Sequence, residues 1–290
     1  MTDLHPLTEL VDSEQLFASG IWNDHHVLLK NAIEPAVFPD EDEIWGYLER
    51  PLMRSPYFSV VKDGVWARPD AVTRVLEYGT DEVDYIADFQ GIREGIAQGA
   101  SVKLNQMEDW HRPTRNLLQE LRHRLAAEFK AYVFYTPADN TGMRPHRDGS
   151  HVIAVQLSGT KRWRIWENPD QIDARAGLDV DQTGWTHEFV MEPGDVLYLP
   201  HGVPHAPSAE DGNSLHITIT ITEPGPLDLS QALVSLLAEH RPQLAATWPQ
   251  LRNEARLSAV LEGLSTLVKN VDEYKLINTA ADNMQNRTER

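Results

Sequence analysis

Apolar residues recur along this chain with two different periods, and the change between them divides it into three parts. Before residue 100 the pattern is mixed. Spacings of three and four predict helices over Glu41 to Leu48, Asp70 to Tyr78 and Asp88 to Gln98. Tyr57 to Val61, ended by the turn Asp63-Gly64, and Ser101 to Leu104 read as strands. Arg115 to Lys130 carries the clearest helical stripe, with Leu117, Leu118, Leu121, Leu125 and Phe129 on one side. After it the period falls to two. Strands are expected over Ala131 to Thr136, His146 to Asp148, His151 to Leu157, Lys161 to Glu167, Thr186 to Met191, Asp195 to Leu199 and Ser214 to Thr222. The turns Ser158-Gly159-Thr160 and Pro193-Gly194 separate pairs of them. Short strands with Gly and Pro corners predict a β-sandwich or barrel. Ser214 to Thr222 alternates strictly, as a barrel wall with a polar lumen would.

Beyond Glu223-Pro224-Gly225-Pro226 the helical period returns. Ser230 can cap a helix running to about His240, and Leu251 to Lys269 gives another, striped by Leu257, Leu261, Leu264 and Val268. The division expected is a β-barrel with an N-terminal elaboration over 1–225, and a small helical appendage over 226–290. The appendage would serve as a lid or as the surface that pairs two subunits into a homodimer. Ala281 to Arg290 is expected to fray.

Composition narrows the classes. A chain of 290 residues with 41% hydrophobic content and 8 Trp can bury a sizeable core, and it has no cysteine for disulfides, zinc-thiolate sites or iron-sulfur clusters. The start, Met1-Thr2-Asp3-Leu4-His5, has no basic-then-apolar signal, and no apolar run approaches the length of a membrane span, so a soluble cytoplasmic protein is expected. A formal charge of -18 repels phosphate backbones and anionic lipid. Direct nucleic-acid or membrane binding is therefore not expected, whereas a basic protein or peptide would be attracted. The same charge could do no more than keep the protein soluble.

The candidate chemistry lies in the β-rich middle. In His146-Arg147-Asp148 the two outer side chains share a face if the segment is extended, because side chains alternate with period two. A second histidine, His205, ends the segment Pro193-Gly194-Asp195-Val196-Leu197-Tyr198-Leu199-Pro200-His201-Gly202-Val203-Pro204-His205. Two imidazoles and a carboxylate on one side of a metal leave coordination positions open, as in non-haem Fe(II) oxygenases. The Gly, Pro, His spacing of the segment is the second motif of cupin barrels. The asparagine often found four residues later is replaced by Ala209. His201 is the rival distal ligand, and His205 is favoured because the motif ends there. His216 lies on the polar face of the last strand, as a cavity residue or a wall residue.

Lys161 heads a run in which Lys161, Trp163 and Ile165 share one face and Arg162, Arg164 and Trp166 the other. A lysine pointing into a barrel needs an anion, which the far carboxylate of a dicarboxylate cosubstrate would supply. The alternative is a lysine in solvent on a surface strand. Tyr132, Phe134 and Thr136 share a face of the entering strand. A hydroxyl from Tyr132 or Thr136 could donate to the same carboxylate, or both could be ordinary lining. Arg144 and Trp110 are placed as substrate contacts by polarity and position.

Tyr135-Thr136-Pro137, the run Gly142 to Asp148, Val155 to Trp163, Glu192 to Pro200, Pro204-His205 and Ser214 to Ile219 together resemble the JmjC family of 2-oxoglutarate oxygenases in the cupin superfamily, nearest to its ribosomal-protein hydroxylase branch. The resemblance covers about residues 20–225 and implies a mainly β fold with helices, the double-stranded β-helix or jelly-roll. It implies Fe(II) at His146, Asp148 and His205, with 2-oxoglutarate and O2 as cosubstrates. It also implies Lys161 on the 2-oxoglutarate C5 carboxylate, with Thr136 in support. Gly149-Ser150-His151 stands where family members often have an acidic or aromatic residue, and Phe134 where relatives often have tyrosine. The expected activity is hydroxylation of an unactivated C–H on an amino-acid side chain of a protein or peptide. The alternatives are hydroxylation of a free amino acid or small metabolite, N-methyl-lysine demethylation, and a non-catalytic cupin.

Overall fold

Period-two alternation builds most of the structure, a computed structural model that describes residues 7–8, 25–240 and 253–288. The chain divides into two units, Met1–Glu120 with Lys130–Ile221, and Leu121–Phe129 with Thr222–Arg290. In chain order the first part runs β1 (Val27–Leu29), α1 (Glu41–Leu48), β2 (Phe58–Lys62), β3 (Val65–Trp66), α2 (Pro69–Val72), β4 (Thr73–Tyr78), β5 (Asp81–Ala87), α3 (Phe89–Ala97) and β6 (Ser101–Leu104). Asp40 starts α1 by accepting from the Glu43 backbone at 2.9 Å while Glu43 reaches back to the Asp40 N–H, a reciprocal capping box. Asp88 caps α3 through the Gln90 backbone.

The middle continues with α4 (Met107–Trp110), α5 (Arg112–Arg122), β7 (Glu128–Thr136), β8 (His151–Ser158), β9 (Lys161–Ile165), β10 (His187–Met191), β11 (Val196–Leu199), β12 (His205–Ala209) and β13 (Ser214–Thr222). The larger sheet has the order β1-β11-β8-β13-β7-β6-β2-β3 and the smaller one β10-β9-β12, with antiparallel pairing from β1 to β13, from β7 to β3 and across the smaller sheet. This is the mainly β architecture with helices that the residues predicted. The inward residues of the two sheets meet in a core that includes Val152, Ala154, Trp163, Ile165, Leu197 and Leu199. On β13 the Ile217, Ile219 and Ile221 face is fully buried, and His216 and Thr218 on the other face are buried too, as a polar interior requires.

Several expected elements differ. Asp70 to Tyr78 is one helical turn followed by β4, which pairs with β5 through a turn where Gly79 has φ +67°. A hairpin partner outweighs the weak helical spacing here, and Thr73 and Val75 suit a strand. The helix predicted to Lys130 stops at Arg122, because Phe129, Ala131, Val133 and Tyr135 are buried on alternate positions of β7. Phe129 fits both periods, and only the sheet decides between them. His146 to Asp148 is not a ladder strand but an extended segment held by isolated bridges. β12 was hidden by Pro207, which is tolerated because β12 is an edge strand.

The second unit contains α6 (Pro226–His240), α7 (Asn253–Asn270) and α8 (Glu273–Thr288). Residues 251 and 252, the expected start of α7, lie outside the described residues. Leu236, Leu237 and Leu267 form its small core. Leu257, Leu261 and Val268 of the expected stripe are exposed. Where fraying was expected, residues to 288 are helical, with Ala280, Ala281 and Met284 buried and Arg287 paired with Asp228. Residues 289–290 lie outside the described residues, as does the N-terminal sequence read for a signal apart from 7–8. Among the described residues no helix is long and apolar enough to cross a membrane.

Candidate metal centre

His146 and His205 exchange both backbone hydrogen bonds, His146 N–H to the His205 carbonyl at 3.0 Å and His205 N–H to the His146 carbonyl at 2.9 Å. Residues paired this way stand directly opposite each other, and the two rings lie 4.4 Å apart. Asp148 projects to the same side, its Oδ2 3.6 Å from His205 Nε2. One donor atom from each of the three falls within 4.8 Å of the others. Arg147 between them points the other way and is buried. It donates to the Gln171 carbonyl at 3.2 Å and pairs with Asp179, while its backbone bridges Gly177. The middle residue of the motif thus pins the extended segment to the β9–β10 connection. No role was read for it in the sequence.

The corner before His205 is equally constrained. Gly202 has φ +76°, and a Cβ there would lie 2.2 Å from the Asp173 carbonyl oxygen. His201 in that corner donates from Nε2 to the Ala174 carbonyl at 2.9 Å. It is not part of the three-residue cluster.

Each histidine donates its Nδ1–H to a carbonyl, His146 to Arg144 at 2.8 Å and His205 to Val203 at 3.1 Å. A carbonyl only accepts, so both Nε2 atoms are left as lone-pair donors. Burial pushes the His205 imidazole down to about 4, with His146 adding to the effect and Asp148 and the Val203 carbonyl opposing it. A neutral imidazole at neutral pH is what a metal ligand must be. Two imidazole nitrogens and one carboxylate oxygen fit a divalent first-row ion with open positions.

Lys161 lies across the interior. It is buried, and burial alone pushes its amine down to about 7. Its Nζ donates to Thr136 Oγ1 at 3.0 Å and meets His216 Nδ1 at 3.2 Å. Ser101 Oγ donates to the same threonine at 3.0 Å. Burial, with Lys161 and His205 adding to it, holds His216 neutral, well below its ordinary range. His216 therefore belongs to the interior cluster and is stacked on Phe134 at 4.9 Å. Trp163 stands between the two halves, its ring 5.7 Å from His205 and 5.8 Å from His216. Its buried indole N–H has no partner among the described residues.

Lys103, which the sequence reading passed over, sits with its Nζ 4.0 Å from the centre of the Tyr132 ring and 5.5 Å from that of Phe134. Burial lowers it, and the negative charge of Asp148 works against that. Its only sequence signal was a charged residue in an otherwise buried four-residue strand. Arg144 is exposed and packs against Gly64. Trp110 donates to the Asn105 carbonyl at 3.0 Å and packs edge-on against Tyr57. The interactions recorded for Trp110 reach neither the triad nor Lys161.

Residues 107–229 match the family model described as the JmjC domain. The chain is 35% identical over 134 residues to the bifunctional lysine-specific demethylase and histidyl-hydroxylase NO66 of Drosophila yakuba, covering 44% of this chain and 18% of that protein. It is 28% identical over 201 residues to ribosomal oxygenase 2 of Bos taurus, covering 61% and 44%. The chain thus spans less than half of the length of these curated relatives. Among solved structures, the fold matches Escherichia coli ycfD with a TM-score of 0.57 at 20% identity, covering 89% of this chain and 68% of that one. It also matches a YcfD structure in complex with cobalt and 2-oxoglutarate, with a TM-score of 0.57 at 19% identity, covering 88% and 66%.

Proposed function

We propose that this protein, whose residues 107–229 form a JmjC domain, is an Fe(II)- and 2-oxoglutarate-dependent dioxygenase that hydroxylates a side chain of a protein or peptide. The observation that carries the reading is the reciprocal backbone bridge between His146 and His205, which brings two imidazole Nε2 atoms beside Asp148. The matched YcfD structures hold cobalt and 2-oxoglutarate or succinic acid, which supports the same ligand classes here.

His146, Asp148 and His205 would hold the ion. When bound, Fe(II) supplies O2 activation coupled to decarboxylation of 2-oxoglutarate. The chain's own residues bind, orient and exclude water. Lys161 and Thr136 would receive the far carboxylate of the cosubstrate. A buried amine with no carboxylate as its hydrogen-bond partner is a site prepared for an anion. The buried Trp163 N–H, with no partner among the described residues, is a further donor beside His205 and His216. His216 accepts from Lys161 and fixes where the ammonium points. Tyr132 lies beside Lys103, whose Nζ is 4.0 Å from its ring centre. Arg144, whose carbonyl orients His146 and whose side chain is exposed, is suited to the substrate side. Trp110, with its N–H engaged elsewhere, receives no contact in this scheme.

A protein substrate with a basic segment suits the charge of -18, and the relatives include a ribosomal oxygenase and a histidyl-hydroxylase. The test begins with succinate formation from 2-oxoglutarate with Fe(II), with and without candidate peptides. It continues with intact-mass analysis of proteins from cells with and without this chain. A protein that gains one oxygen only when the enzyme is present supports the reading. Oxygen gain on a free metabolite, or formaldehyde release from a methyl-lysine peptide, would replace the substrate class. No 2-oxoglutarate turnover under any of these conditions would end it.

A further inference from the structure

A second cluster of nitrogen and oxygen donors lies outside the interior just described. His26 immediately precedes β1, Glu167 follows β9, and His187 opens β10. His26 Nδ1 is 2.7 Å from Glu167 Oε1, and His187 Nε2 is 3.2 Å from Glu167 Oε2. One donor atom from each lies within 4.8 Å of the others. His25 Nδ1 stands 3.8 Å from Glu167 Oε2 on the solvent side.

The backbone holds these groups in place. Glu167 N–H donates to the Thr186 hydroxyl at 3.0 Å, and that hydroxyl donates to the Ile165 carbonyl at 3.1 Å. The His26 backbone N–H donates to Glu167 Oε1 at 2.8 Å. The His26 ring lies against His187 at 4.5 Å and is stacked on Phe189 at 5.7 Å. Glu167 and His26 keep only 15% and 16% of their side-chain surface, while His187 keeps 45%. Two partly buried donors with one open side make a half-enclosed cradle.

The chemistry of the set selects the ligand. Two imidazoles and one carboxylate are borderline donors that suit Zn(II) and its neighbours rather than Ca(II) or Mg(II). Donors of a tetrahedral zinc with bonds near 2.0–2.2 Å sit about 3.3 Å apart. The observed separations, 2.7 Å from His26 to Glu167 Oε1, 3.2 Å from His187 to Oε2 and 3.8 Å from His25 to Oε2, lie within about 0.6 Å of that figure. We infer that His26, Glu167 and His187 form a divalent-cation site of the zinc class, with His25 or water in the fourth position, that clamps the chain entering β1 to the ends of β9 and β10.

The site is separate from the His146, Asp148 and His205 centre, although both attach to the same strand. Ile165 of β9 pairs with His187 on one side and with His205 on the other. Two strand spacings put the ligand backbones about 10 Å apart, too far to share an ion.

The test uses the full chain and Zn(II) alone, with bound metal counted by equilibrium dialysis and elemental analysis. The wild type should hold two zinc ions per chain, Asp148→Ala one, His187→Ala one, and the double variant none. Zinc should raise the melting temperature of Asp148→Ala but not that of the double variant. His187 lies at the exposed start of an edge strand, so His187→Gln serves as a second variant that keeps the side chain's bulk, and it should also lose one ion. Co(II) in Asp148→Ala should give the strong visible absorption of a four-coordinate ion, which His187→Gln removes. Stoichiometry unchanged by either His187 variant, or no zinc-dependent melting shift in Asp148→Ala, would overturn the site. It would leave a hydrogen-bonded cluster of two histidines and a glutamate. Loss of metal only from the Asp148 centre bears on the oxygenase reading and not on this one.

Discussion

Lys161 Nζ donates to the Thr136 hydroxyl at 3.0 Å, joining β9 to β7 inside the barrel. The contact is made between two residues that face inward from different sheets. With His216 as the second partner, the amine has hydrogen bonds but no counter-charge.

That balance predicts a conflict between stability and function. Lowering the Lys161 amine from 10.5 to about 7 costs about 1.4 kcal/mol for each unit of displacement, several kcal/mol in all. Leaving His216 Nδ1 unpaired costs about 1–3 kcal/mol. The first figure is the larger. Lys161→Met should therefore raise the melting temperature of the cosubstrate-free protein while lowering 2-oxoglutarate affinity at least tenfold. Differential scanning calorimetry and isothermal titration read the two effects. A destabilised variant with unchanged affinity would contradict the assignment.

The same lysine sets a pH dependence. Between about 7 and 10.5 the unfolded chain carries the Lys161 proton and the folded chain does not, so this group makes stability rise with pH across that window. A bound dianion restores the proton. Cosubstrate affinity should therefore be flat below about pH 7 and weaken above it, by up to about tenfold per pH unit. Titrations at pH 8 in buffers of different ionisation enthalpy should reveal proton uptake on binding. Proton release, or affinity independent of pH, would refute the pairing.

Gly159 places that lysine. It has φ +62°, and a Cβ there would lie 1.8 Å from the Asn213 carbonyl oxygen. Gly159→Ala should cost at least about 2 kcal/mol, from the left-handed backbone and the clash with a neighbouring chain segment. Urea melts test this, and any folded fraction should bind 2-oxoglutarate more weakly because Lys161 follows two residues later.

The two histidines of the Pro200 to His205 corner should separate cleanly. His205→Ala and Asp148→Ala should reduce succinate formation to background and abolish Fe(II) binding at that centre. His201→Ala removes a bond to the Ala174 carbonyl and an edge contact with the His151 ring, and should retain most turnover. Equal loss from the His201 and His205 variants would show that the wrong ligand has been assigned.

Much of this was legible along the chain. The periodic residues located α1, β6 and β13 at their observed limits, because in each the buried face carries a strong apolar repeat of one period. The reading failed where two periods fitted the same residues. Phe129 satisfied a helical stripe and a strand alternation alike, and the sheet partner chose. At Thr73 to Tyr78 the deciding partner, β5, carries Asp81, Glu82 and Asp84, and its alternation is only the short run Val83, Tyr85 and Ala87.

The sequence by itself marked out His146, Asp148 and His205 as candidate ligands, through the H-x-D spacing and the Pro and Gly corner before His205; the bridge between His146 and His205 that brings them together came from the fold. The sequence also determined that Lys161, Trp163 and Ile165 share a face. Only the tertiary structure decided that this face looks inward, that His216 and Thr136 meet the lysine, and that Lys103 lies over Tyr132. It alone brought His26 to Glu167, which is far from it along the chain. Contacts of that kind depend on register between strands, which is set by the summed packing of two sheets. No local pattern of residues carries that sum.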